Sequence, residues 1–247
     1  MLRWIQNIYR LIYSQDMHDL QSLNVFFTHQ ETFGKYKAIH TGKEVALIAC
    51  GPSLNRYRPV SGAINVGVNR SFMRDIKLDY IFIQDYTPMK DSIEELVKPE
   101  YSDIKKLYGV LPEQYYGDKF KKCTPAIMPE SLILRHKAQK YYLYTKRPQF
   151  PLKFNTEIDK SWVQDCGSVA LSAMQFILFT SPKKIYLVGC DCTSGHFYNT
   201  KDGTNCSKLI KPWKELKKFA DIHYPETEII SINPVGLRGI FTDFEQI

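Results

Sequence analysis

The chain has 247 residues, long enough to bury a sizeable core, and its apolar and charged fractions (44% and 24%) are those of a soluble globular protein. A net charge of +7 favours anionic partners, but the basic residues are scattered, with no arginine-rich arm, zinc-finger spacing or RNA-binding signature. Those features favour a small anionic ligand over nucleic acid, and no stretch approaches the roughly 18 apolar residues of a membrane span.

In chain order, the first 13 residues, MLRWIQNIYRLIY, read as a short amphipathic helix with Leu2, Ile5, Ile8, Tyr9 and Ile12 on one face. They lack the apolar core and cleavage site of a signal peptide. Packing on its own domain is favoured for this helix over peripheral contact with a membrane face. Residues 14–43 are mixed and polar and read as a lead-in. A rhythm of apolar runs follows. Val45–Ala49, Ile64–Val68 and Tyr80–Gln84 read as strands, and Lys106–Val110 as a fourth. Pro88 opens an expected amphipathic helix carrying Met89, Ile93, Leu96 and Val97 on one face. Residues 111–164, rich in Pro, Lys and Tyr, interrupt the rhythm and read as an insertion, either a lid or a helical subdomain. It then returns with a buried helix over Ser168–Phe179, a strand over Lys184–Val188, a helix over Pro212–His223 and a strand over Glu228–Ile232. Strands alternating with helices imply an α/β fold, a doubly wound, mainly parallel Rossmann-like sheet. The expected division is a lead-in over residues 1–43 and one α/β domain over 44–247.

The most informative segment is Glu44–Asn55, EVALIACGPSLN. An apolar strand runs into Gly51-Pro52-Ser53, a turn of the kind that lies at the carboxyl edge of such a sheet, where ligands bind. Other strands end in Asn69-Arg70, Asp85 and Gly189-Cys190-Asp191. Gly167-Ser168 opens the buried helix, whose N-terminus suits a phosphate or carboxylate; Ser168 serves equally as a plain N-cap. The segment Ile185–Asn199, IYLVGCDCTSGHFYN, adds His196 in a glycine-containing loop, a residue suited to deprotonating an acceptor hydroxyl. GxGxxG, Walker A and GxSxG motifs are all missing, which argues against ordinary dinucleotide binding, P-loop phosphoryl transfer and α/β-hydrolase chemistry. The six cysteines include no CxxC pair, so neither a zinc site nor a disulfide framework is expected, and reduced thiols in the cytoplasm are.

Taken together, strand-GPSL, strand-NR, strand-D, GSVA-helix and strand-GCD-loop-Tyr resemble the nucleotide-sugar domain of bacterial lipooligosaccharide sialyltransferases. They equally resemble the wider GPSL group, which includes motility-associated-factor glycosyltransferases and 6-hydroxymethylpterin diphosphokinase-like proteins. The resemblance spans residues 44 to 235 as a pattern, with 111–164 unmatched. It implies that Gly51, Pro52, Ser53 and Asn69 hold the nucleotide; Asp85, Gly167, Ser168 and Asp191, at the other strand ends and the helix start, are expected to join them in binding it. It implies that Tyr198 meets the donor phosphate and that His196 is the base. It also implies a metal-independent inverting transfer of a sugar from a nucleotide donor, CMP-linked by analogy, to a surface glycan or glycolipid, with no further cofactor. The chain departs from the sialyltransferase pattern at Cys50, where those enzymes have asparagine, in the order Gly167-Ser168, and in placing His196 before the tyrosine. Two alternatives stay open: a pterin-type diphosphokinase with magnesium between Asp85 and Asp191, and a nucleotide-binding module without catalysis.

Overall fold

Nine short, β-branched and aromatic segments build one sheet. They are β1 (Glu44–Ile48), β2 (Ile64–Val68), β3 (Tyr80–Ile83), β4 (Lys105–Val110), β5 (Gln139–Tyr144), β6 (Val163–Gln164), β7 (Lys184–Val188), β8 (Glu228–Ile232) and β9 (Thr242–Phe244). Five helices accompany them: α1 (residues 22–33), α2 (Tyr86–Met89), α3 (Glu130–Arg135), α4 (Val169–Phe179) and α5 (Ile210–His223). The structure is a computed structural model describing residues 22–84, 86–110, 128–144, 151–201, 203 and 205–246. The expected N-terminal helix over residues 1–13, Asp85, and residues 111–127 and 145–150 of the expected insertion lie outside the described residues.

The strands run in the order β6-β5-β4-β3-β2-β1-β7-β8-β9, and every neighbouring pair is parallel. This is the α/β Rossmann-like arrangement expected from the alternating pattern. Both faces are covered, which is why the central strands are continuously apolar. On one face Val45, Leu47, Val66, Phe82 and Leu187 pack under α1, α4 and α5. On the other, Ala46, Ile48, Ile81 and Val188 meet Leu54, Met89, Ile93 and Leu132. All eleven residues of α4 are buried, so this helix lies inside the molecule rather than on it.

Several expectations shift. The helix expected from Pro88 is two pieces: α2 ends at Met89, and a separate 3-10 turn covers Ile93–Val97. Ser92 breaks the continuity, its backbone N–H and its hydroxyl both donating to the Met89 carbonyl (2.9 and 3.2 Å). Met89, Ile93 and Leu96 still reach the core, but Val97 is exposed. The lead-in contains α1, which sets Phe33 into the main apolar cluster. Described parts of the expected insertion supply α3 and extend the sheet by β5 and β6. A strand not anticipated, β9, pairs with β8. Among the described residues no helix is long and apolar enough to cross a membrane.

Candidate functional site

The chain leaves β1 toward β2 on one side, and β7 pairs on the other, so the order of strands reverses at β1. In parallel sheets a crevice opens at that switch, beyond the carboxyl ends of the strands. The Gly51 turn fills its floor. Ala49 N–H donates to the Val188 carbonyl and Gly51 N–H to the Gly189 carbonyl, both at 2.8 Å, carrying the β1–β7 pairing one step past the strands. A Cβ on Gly51 would lie 2.5 Å from the Gly189 oxygen and 2.6 Å from the Asp191 carboxyl carbon, so only glycine fits. Pro52 then opens a short 3-10 turn, Pro52–Arg56.

Asp191 is buried and ties this turn down. Ser53 N–H donates to one of its oxygens at 2.8 Å, and the Ser53 hydroxyl donates to the other in a short hydrogen bond. Both carboxylate oxygens thus hold the GPSL turn. Cys50 donates its Sγ–H to the Val68 carbonyl (3.2 Å), and burial pushes its thiol up to about 12. The Cys50 carbonyl in turn accepts from Phe197 N–H (2.9 Å), docking the His196 loop against the turn.

At the end of β2, Asn69 adopts a left-handed backbone (φ 47°), and its buried Oδ1 has no hydrogen-bond partner. Such an acceptor costs stability unless a ligand donates to it. Arg70 follows, its guanidinium 5.1 Å from the Tyr198 ring centre, while its nitrogens donate to the Pro88 carbonyl (2.5 Å) and Ser92 Oγ (3.2 Å). Tyr198 stacks on His196, with ring centres 5.0 Å apart and planes 8° from parallel. Arg70, Tyr198 and His196 therefore form one column beside the cleft.

The N-terminus of α4 closes the far wall. Gly167 sits at φ +73° and donates its N–H to Asp165 Oδ1 (2.8 Å), a carboxyl whose pKa burial raises. Ser168 is the N-cap residue, yet its hydroxyl makes no capping bond. The first N–H groups of α4 and this hydroxyl are suited to an anion.

The cleft encloses about 130 Å³, and Gly51, Asn69, Ser168, Asp191 and His196 all line it. The structure thus brings five of the expected residues to one cleft. Pro52, Ser53 and Gly167 stand behind that lining, and Tyr198 reaches it through His196. Thr193, Trp213 and four cysteines (Cys50, Cys190, Cys192 and Cys206) also line it and were not anticipated as site residues. Arg70 had a signal, being the neighbour of Asn69 at a strand end. Trp213 had none, because it arrives from the first turns of α5 by tertiary packing. Among the described residues no group of three or more His, Cys, Asp or Glu is placed to hold a metal ion. The remaining described histidines serve the fold: His29, His40 and His136 are buried with partners, and His223 ends α5 against the Phe219 ring.

Fold and cleft together define an α/β protein with a cleft at the switch point of its parallel sheet. Its fold is similar to that of the MAf glycosyltransferase from Magnetospirillum magneticum AMB-1, with a TM-score of 0.50 and 13% identity over 90% of this chain and 38% of that one. This chain therefore spans well under half the length of that protein. The sialyltransferase CstII from Campylobacter jejuni, in complex with the substrate analogue CMP-3FNeuAc, aligns with a TM-score of 0.47 and 15% identity, covering 76% of this chain and 80% of that one. By sequence the chain matches no protein-family model and no curated protein.

Proposed function

We propose that the chain is a glycosyltransferase that binds a nucleotide-activated sugar in the β1–β7 cleft and moves the sugar to a glycan or glycolipid acceptor. The observation that carries this reading is the buried, unpartnered Asn69 Oδ1 in a cleft whose opposite wall is the α4 N-terminus. A nucleoside offers the donor group that the amide oxygen lacks, and a phosphate matches the helix end. The likeness of fold to a glycosyltransferase agrees with it. The GPSL resemblance adds the nucleotide, and it favours CMP.

In this mechanism Gly51 lets the donor approach the backbone, Asp191 fixes the turn through Ser53, and Ser168 with the α4 N–H groups receives the phosphate. The bond between the anomeric carbon and the phosphate oxygen breaks as the acceptor oxygen attacks from the opposite face, inverting the centre. His196 takes the acceptor proton. The departing phosphate is met by the Tyr198 hydroxyl, with Arg70 adding positive charge behind that ring. No metal is required for any of these steps. The site would work near the inner membrane face, where glycolipid acceptors are presented.

A thermal-shift screen against CMP, CDP, UDP, GDP and ATP, with and without magnesium, tests the reading, because a ligand of the native state raises its apparent stability. A CMP-selective, metal-independent rise is expected. A rise seen only with ATP and magnesium would replace this reading with pyrophosphoryl transfer.

A further inference from the structure

The sheet edge that carries the β1–β7 cleft also carries a second hollow, of about 260 Å³ against about 130 Å³ for the cleft. Every strand pair is parallel, so Tyr144 and Gln164, the last residues of β5 and β6, stand on the edge where the cleft opens. None of the residues around this hollow lines the cleft. Three of its lining side chains are aromatic: Tyr144, Phe154 and Trp162, each half-buried. Phe154 packs against Phe219 of α5, with ring centres 5.5 Å apart, and Trp162 meets the Tyr142 ring edge-on at 6.1 Å.

Gln164 supplies the polar anchor. It is only 5% exposed, although it lines the hollow. Its main chain is clamped to α4: Gln164 N–H donates to Gln175 Oε1 (3.0 Å), and Gln175 Nε2 donates back to the Gln164 carbonyl (2.9 Å). Its side-chain NH2 donates to the carbonyls of Asp165 (2.9 Å) and Tyr144 (3.3 Å). Carbonyls only accept, so these bonds fix which end of the amide is nitrogen and commit both of its hydrogens. Gln164 Oε1 is left with no donor among the described residues, on a side chain that cannot turn away. Asn155 complements it. Its Oδ1 accepts from Glu157 N–H (2.8 Å), which leaves its NH2 to donate into the hollow, and Ser161 adds a hydroxyl.

Aromatic walls with a few fixed polar groups are the composition of a small-molecule pocket. An acyl chain would leave the Gln164 acceptor unmatched. A pyranose ring answers both halves of the lining: its C–H faces lie against aromatic rings, and its hydroxyls both donate to Gln164 Oε1 and accept from Asn155. We infer that this hollow binds one sugar ring of a glycan, held against Tyr144, Phe154 and Trp162 and oriented by Gln164. Ser168, which lines the cleft, follows Gln164 by four residues, so their Cα atoms are at most about 14 Å apart. A short oligosaccharide bridges that distance, and the hollow is then an outer subsite for the glycan acceptor, a role that rests on the nucleotide reading of the cleft.

Saturation-transfer NMR on the full chain, without nucleotide, tests the sugar site with the methyl β-glycosides of glucose, galactose, N-acetylglucosamine and glucuronic acid. Transfer to at least one of them is expected. Tyr144→Ala, at a half-buried position, should weaken that glycoside about threefold or more. Gln164→Met, which keeps the side-chain length without the amide, should weaken it about tenfold. Circular dichroism checks that each variant is folded, and if Gln164→Met is not, Tyr144→Ala alone decides. No transfer to any of the four, or equal affinity in the native chain and Tyr144→Ala, would overturn the site. Saturating CMP is expected to leave the glycoside bound; its displacement by CMP would put the sugar in the cleft and overturn the outer subsite. Failure of the chain to bind CMP would instead count against the proposed function and leave the sugar site standing.

Discussion

Two buried regions of this molecule treat polar groups in opposite ways. At the seam between α1 and β5, inward polar side chains are engaged in holding the fold. His29 Nδ1–H donates to the Ile158 and Ser161 carbonyls (2.8 and 2.7 Å), and its Nε2 accepts from Tyr142 N–H (2.7 Å). Thr32 donates to the Lys140 carbonyl (2.8 Å), and Gln30 reaches the Asp159 carbonyl (3.0 Å), although Asp159 Oδ1 itself has no partner. At the β1–β7 cleft, by contrast, Asn69 leaves its acceptor unmatched, Ser168 leaves its hydroxyl uncapped, and Asn69 and Cys192 sit in the left-handed region. Where most partners are present, as at the seam, polar groups specify the fold; where they are missing beside a cleft, they are available to a ligand.

The largest effect expected on the cleft side is on chemistry. His196→Ala is expected to lower sugar transfer by about 10²–10⁴-fold, the usual contribution of a general base. Donor affinity should change far less, and paired kinetics and binding measurements would separate the two. Equal losses of both would make His196 a binding residue instead.

On the seam side the matching effect is on stability. Burial holds the His29 pKa down from 6.5 to about 4, so the folded chain keeps this ring neutral where the unfolded chain protonates it. Its contribution is fully present above pH 6.5 and is lost as the pH falls from 6.5 to about 4, a total of about 3 kcal/mol. Urea unfolding at several pH values would show this loss in the native chain and a flatter dependence in His29→Gln.

Gly51→Ala tests the steric floor of the cleft. The new methyl group meets the Gly189 oxygen and the Asp191 carboxylate, so a loss of about 1–3 kcal/mol is expected with nucleotide binding abolished. Chemical denaturation and titration together would check it. Retained binding would mean that the turn shifts without consequence.

The parts of this architecture visible in the sequence are those where one residue type does one job. β1, β2 and β7 showed themselves as apolar runs because both of their faces are buried, and their ends showed because glycine, asparagine and aspartate terminate them. The convergence of Gly51, Asn69, Ser168, Asp191 and His196 followed from those ends. α1 was hidden because two of its inward residues, His29 and Thr32, are polar and are buried only through hydrogen bonds to distant segments. β5 was hidden because it lies within the Pro-, Lys- and Tyr-rich stretch read as a lid or helical subdomain, although Tyr141 and Leu143 alternate inward as in a strand. β9 is three exposed residues whose strand character comes from pairing with β8 alone. The column of Arg70, Tyr198 and His196 joins two distant segments, and no spacing rule encodes it.

The central claim is that the unmatched acceptor of Asn69 exists for a nucleotide and not for the fold. Asn69→Gly removes the amide while suiting the left-handed backbone, so its stability should stay within about 0.5 kcal/mol of the native chain. Calorimetric titration of CMP, without metal, into the native chain and into this variant is the most direct measurement. The account predicts binding to the native chain and an affinity about tenfold lower in the variant, the worth of one buried hydrogen bond. Equal affinity in the two, or no binding to either, would contradict it.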